Sequence, residues 1–190
     1  VLSASCGGEV PNLRSAGTTI VCLGDSITAG VGAAGAGYPE ILADLLGTPV
    51  LNHGVPGDTA AAGLARLDTV LAEDPWLVIV ELGGNDVLRR LPQEDTERAL
   101  RGIVEGVLAA GAVPLLIELN GPLLGSYGGL FDRLEADYRV PVLEGALGDV
   151  LFDPRLKSDT IHPNDAGHRR LAEEVAARVR PWLRARRALK

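Results

Sequence analysis

Residues 76–82, Trp-Leu-Val-Ile-Val-Glu-Leu, are apolar at every position but Glu81. A run with no polar alternation has no face to give to water, so it reads as a strand covered on both sides, the habit of parallel sheets. Residues 19–23 and 113–119 repeat the pattern, and residues 49–52 and 140–143 are shorter versions. Between these runs apolar residues recur at helical spacing. One helix is expected over residues 38–46, stopped by Gly47, and another after Asp58, which can cap it, to about Glu73. Others are expected over residues 96–110 and 130–138, and after Asn164, with Pro181 bending or ending the last. Strand alternating with helix gives an α/β fold, a five-stranded parallel sheet with helices on both faces in three layers. Residues 1–17 are polar and aperiodic, a loop or tether, and residues 18–190 form one domain.

Composition narrows the function. At 190 residues and 46% apolar content the chain can bury a proper core. A net charge of −7 argues against nucleic acid as partner, and no apolar run reaches the ~18 residues that cross a bilayer. Cys22 lies inside the first strand as a small buried hydrophobe. Cys6 follows Leu2-Ser3-Ala4-Ser5, which is similar to the end of a bacterial signal peptide with a lipid-acceptor cysteine. Export, and a membrane anchor through Cys6, are the expectation, in the periplasm or on the membrane of a bacterium. A Cys6–Cys22 disulfide and a cytoplasmic location stay open, as does oligomeric state, with a monomer expected.

Chemistry enters where the strands end. The first stops at Gly24-Asp25-Ser26, which puts the Ser26 hydroxyl at the carboxyl edge of the sheet, where open α/β sheets bind ligands. Ser26 capping a helix is the alternative. Asp159 stands three residues before His162 in a loop ahead of the last helix. A hydroxyl needs a base to become a nucleophile, imidazole suits the task near neutral pH, and a carboxylate fixes its tautomer. Donors for an oxyanion lie at the same edge: the Ser26 amide, the Gly57 amide and the Asn85 side chain. Residues 29–37, rich in Gly and Ala, are expected to form a mobile loop over the site, and His168 to sit on a solvated helix face.

Gly24-Asp25-Ser26-Ile27-Thr28, Gly57 in Pro56-Gly57-Asp58-Thr59, Gly83-Gly84-Asn85-Asp86 and Asp159-Thr160-Ile161-His162-Pro163 resemble, in order and spacing, the four blocks of the SGNH (GDSL) hydrolases. The likeness covers about residues 18–180 and looks closest to the bacterial thioesterase/lysophospholipase/arylesterase branch. It implies a flavodoxin-like α/β/α fold and a serine esterase acting on small carboxylic esters or thioesters. It also implies Ser26 as nucleophile, His162 as base, Asp159 as its orienter, and Ser26 N–H, Gly57 N–H and Asn85 Nδ2 as the oxyanion hole, with no cofactor. Residues 120–141 are shorter than in that branch, so acyl-chain preference does not carry over. Leu88 and Leu91 either line an acyl path or serve ordinary packing.

Thr28 replaces the second glycine of Gly-x-Ser-x-Gly, which disfavours the α/β-hydrolase elbow. Asp25 is read as organising the turn, and Asn52 as supporting the Gly57 loop. No spacing among His53, His162 and the aspartates suits a metal. Arg178, Arg180, Arg184, Arg186, Arg187 and Lys190 read as a solvated face complementing a helix dipole rather than a membrane patch. A carbohydrate acetylesterase and a catalytically idle acyl- or glycan-binding module are the alternatives. A flavodoxin-like cofactor or receiver protein lacks support, since no phosphate-cradling Gly-x-Gly-x-x-Gly lies between the first strand and helix.

Overall fold

Every side chain of β3 (Pro75–Glu81) is buried, and the other strands are laid out around it. The computed structural model describes residues 10–119 and 129–188. β1 (Thr19–Gly24) and β4 (Val113–Ile117) flank β3, while β2 (Val50–Gly54) and β5 (Val142–Leu143) form the edges, all parallel, in the order β2-β1-β3-β4-β5. The chain moves outward from β1 to β2, then crosses back to β3. Right-handed crossovers in opposite directions place their helices on opposite faces. One face carries α1 (Tyr38–Leu46) and α8 (Asp165–Ala188) packed together. The other carries α2 (Ala60–Ala65) and α3 (Leu67–Leu71) against α5 (Gln93–Ala109), with α6 (Leu130–Tyr138) beside it. Two short helices, α4 (Gly84–Leu88) and α7 (Ala146–Phe152), follow β3 and β5. The expected three-layer, flavodoxin-like α/β fold is the one observed, with its switch point between β1 and β3.

Several local expectations need correction. The helix expected from Asp58 to Glu73 is two helices, α2 and α3, broken at Arg66. Arg66 turns inward there, donating to Asp58 Oδ2 at 2.7 Å, His53 O at 2.9 Å and Gly24 O at 3.1 Å. Asp58 is thereby occupied, and Thr59 caps α2 instead, accepting from Ala62 N. The helices α4 and α7 were not expected, and β5 is shorter than its apolar run.

Pro181 does not end α8; the helix runs on to Ala188. The carbonyl that loses its donor belongs to Ala177, which is exposed and can turn to water. Arg186 secures the last turns and is not part of a solvated face. It is buried, stacks over the Trp76 ring at 4.5 Å, and donates to Leu13 O, Ser15 O and Gly17 O at 2.8–2.9 Å. Arg186→Ala would strand three carbonyls, and a loss of about 2–4 kcal/mol in urea denaturation is expected.

Candidate active site

Gly24 closes β1 where no side chain fits, because a Cβ there would collide with the Thr28 hydroxyl and approach Glu81 O at 2.8 Å. The chain folds back at once. Asp25 Oδ1 accepts from Ile27 N at 3.0 Å, Asp25 O from Ala29 N at 2.9 Å, and Ser26 O from Val31 N at 2.9 Å. Ser26 thus stands on a tight turn at the sheet edge. It caps no helix, since α1 begins at Tyr38 with Gly37 before it, and Asp25 organises the turn as expected.

The loop before α8 delivers the imidazole. Asp159 Oδ1 accepts from the backbone N–H of Ile161 and of His162, both at 2.8 Å. Its other oxygen, Oδ2, lies 2.7 Å from His162 Nδ1, and His162 Nε2 lies 3.0 Å from Ser26 Oγ. Asn164 Nδ2 donates to Arg155 O and Lys157 O, clasping the loop at its base. The bond from His162 draws the Asp159 carboxyl down from 3.8 to about 2, helped by the two backbone N–H groups.

Residues 29–37 are not the free loop expected of their composition. Asp165 Oδ1 accepts from Ala34 N at 2.8 Å and Gly35 N at 3.2 Å, and His168 Nε2 lies 3.1 Å from Val31 O. His168 is fully buried rather than solvated, and burial pushes its imidazole toward the neutral form. Gly32 lets this loop lie directly on the His162 loop: a Cβ there would strike Pro163 O and Ser158 Oγ.

Ser26, Asn85 and His162 line one cavity. Asn85 lies in the first turn of α4, and its Nδ2 donates to Asp25 Oδ2 at 2.9 Å and Asp58 O at 3.0 Å. Gly57 sits in the loop after β2 with φ +87°, and its carbonyl accepts from Arg89 Nη2 at 2.6 Å. It is not among the residues lining that cavity. The walls are apolar: Ile27, Leu88, Leu119, Leu147, Leu151 and Ile161. Leu88 lines the cavity and Leu91 does not.

Sequence reasoning anticipated Leu88 among these wall residues and missed the others. Leu147 and Leu151 sit on the unexpected α7, and Glu81, the lone charge in the apolar run, reaches the cavity floor. Asn52 holds its own loop, with Oδ1 accepting from Gly54 N and Nδ2 donating to Glu40. His53 Nε2 is 3.6 Å from Glu73 Oε1. Among the described residues no group of three or more His, Cys, Asp or Glu is placed to hold a metal. Cys22 is buried as expected, and burial pushes its thiol up to about 12. Cys6, and with it the anchor and the disulfide, lies outside the described residues, as does the loop of residues 120–128.

Residues 22–170 match the model of the GDSL-like lipase/acylhydrolase family. The chain is 36% identical over 182 residues to "Thioesterase 1/protease 1/lysophospholipase L1" of Escherichia coli K12, covering 89% of this chain and 86% of that protein. It is 32% identical over 186 residues to "Esterase TesA" of Pseudomonas aeruginosa, covering 90% and 92%. Its fold is similar to a crystal structure of TesA, with a TM-score of 0.80 at 31% identity over 87% of this chain and 99% of that one.

Proposed function

We propose, from the premise that the chain belongs to the GDSL-like lipase/acylhydrolase family and is a serine hydrolase of carboxylic esters, a specific division of labour in its site. Ser26 Oγ attacks the acyl carbon while His162 Nε2, 3.0 Å away, takes its proton. Asp159 holds the imidazole with Nδ1 protonated and offsets the positive charge that develops. The oxyanion draws on Ser26 N–H, Gly57 N–H and Asn85 Nδ2. Both hydrogens of that amide already have acceptors, Asp25 Oδ2 and Asp58 O, so the oxyanion competes for one of them as its charge grows. The imidazolium then protonates the departing alcohol or thiol, and the same imidazole activates water to release the acid and restore Ser26.

The observation that carries this reading is the run of contacts Asp159–His162–Ser26, at 2.7 and 3.0 Å, opening onto an apolar cavity. Those walls favour an acyl chain longer than acetyl. The carbohydrate acetylesterase and the idle binding module are not favoured. The reading also takes the enzyme to be monomeric, exported, and tethered through Cys6. It is supported there by the small residues before Cys6; no described helix is long and apolar enough to cross a membrane.

Hydrolysis of p-nitrophenyl esters from acetate to palmitate tests the substrate class. Each CH₂ buried among the leucines is worth about 0.8 kcal/mol, roughly fourfold in kcat/KM, until the cavity is filled. The expected profile rises from acetate to a medium chain and then falls. A maximum at acetate would overturn the acyl-chain reading.

A further inference from the structure

Beneath Ser26 lie two buried carboxyl groups. Asp25 is 3% exposed and Glu81 0%. Gly24 lies opposite Glu81 where β1 pairs with β3, so Asp25 and Glu81 come to line the same cavity, and two buried carboxyls brought together there do not both ionise: one keeps a proton. The remaining contacts are unequal. Asp25 accepts from Ile27 N at 3.0 Å and from Asn85 Nδ2 at 2.9 Å, two donors that favour the anion. Glu81 Oε2 accepts from the Thr28 hydroxyl at 2.9 Å, which itself lies 3.1 Å from Tyr38 Oη. Glu81 Oε1 is buried with no donor against it, as suits an oxygen that carries hydrogen.

We propose that Glu81 is a positioning residue: it keeps its proton, donates it in a hydrogen bond to the Asp25 carboxylate, and so holds Asp25 where it orients Asn85 and the turn carrying Ser26. Burial, and then the neighbouring Asp25, push the Glu81 carboxyl well above its ordinary range. Burial raises Asp25 too, but its hydrogen bonds and His162 oppose the rise. The other titratable groups nearby are Cys22 on β1 and Tyr38 on α1, both held neutral by burial, with Glu40 acting on Cys22. Glu81 acts through Asp25 and Asn85, so the inference rests on the proposed roles of Ser26 and Asn85. It explains why a sheet strand otherwise wholly apolar keeps one acid.

Two substitutions and one spectrum test it. In Glu81→Gln the amide can donate to Asp25 and accept from Thr28, and kcat is expected within about threefold of the wild type. Glu81→Leu removes both contacts and frees Asp25. kcat is expected to fall about 10- to 100-fold with KM within about twofold, because geometry in the transition state is lost rather than ground-state binding. Equal losses in the two variants, or an unimpaired Glu81→Leu, would overturn the proposal. The infrared difference spectrum of wild type minus Glu81→Gln at neutral pH should show the carbonyl stretch of a protonated carboxyl. Its absence would overturn the proposal even if Glu81→Leu fails to fold. The band needs no turnover and can be recorded in a Ser26→Ala background. A failed nucleophile assignment, seen as activity surviving Ser26→Ala, is therefore distinguished from a failed carboxyl pair.

Discussion

Ser26→Ala is expected to lower kcat for p-nitrophenyl esters by about 10⁴- to 10⁶-fold with the fold intact. The magnitude follows from what the hydroxyl does in the proposed reaction: it supplies the bond-forming atom, and neither the oxyanion donors nor the apolar walls can replace it. The intact fold follows from its surroundings. The side chain's bond is to His162 Nε2, whereas the turn is held by Asp25 Oδ1 on Ile27 N and by backbone bonds. Thermal unfolding beside the kinetics separates the two effects. A variant that keeps most of its activity would remove Ser26 from the chemistry.

Asp159→Asn should cost about 10⁴-fold, nearly as much, without disturbing the loop. An asparagine oxygen can still accept from Ile161 N and His162 N, the two bonds that shape the loop. The other arm becomes an N–H₂ facing His162 Nδ1, where Oδ2 now lies at 2.7 Å. Nδ1 must then accept, the hydrogen moves to Nε2, and Nε2 can no longer take the proton of Ser26. The pH dependence gives a second check. The Asp159 carboxyl lies at about 2 in the folded protein, below its ordinary 3.8. With the folded value the lower one, its contribution to stability is complete above the unfolded value and is lost as pH falls through about 2. The group therefore stays ionised wherever an imidazole ordinarily titrates. The acid limb of kcat/KM is expected to follow a single ionisation, with no contribution from Asp159. A second proton in the same limb would assign Asp159 a different role.

The features legible in the amino-acid sequence were those with local or repetitive signals. Apolar runs marked the strands, and residues such as Leu100, Ile103, Val104 and Val107, all buried, fell at helical spacing on α5. Ser26, Asp159 and His162 were legible because each follows a strand or precedes a helix, at one edge of the sheet. Features imposed from a distance were hidden. Leu64, Leu67, Val70 and Leu71 keep one helical register across Arg66, and only the carbonyls of Gly24 and His53, from other strands, reveal why the helix breaks. His168 and Arg186 looked like surface residues because their partners, Val31 O and the carbonyls of residues 13–17, come from more than a hundred positions away. Glu81 was visible as an oddity but not as a partner of Asp25, since the two become neighbours only when β1 pairs with β3 in the Gly24–Glu81 register.

Arg186 has one consequence for how the molecule can be held. By gripping the carbonyls of Leu13, Ser15 and Gly17 it brings the start of the described chain and the end of α8 to the same place. Asn12, donating to Leu108 O and Ala112 O, fixes that place at the amino ends of the strands. The handle and the mouth are thus at opposite poles, separated by the length of the strands, about 17–20 Å. A carrier fused at either pole-side end should leave the opening clear.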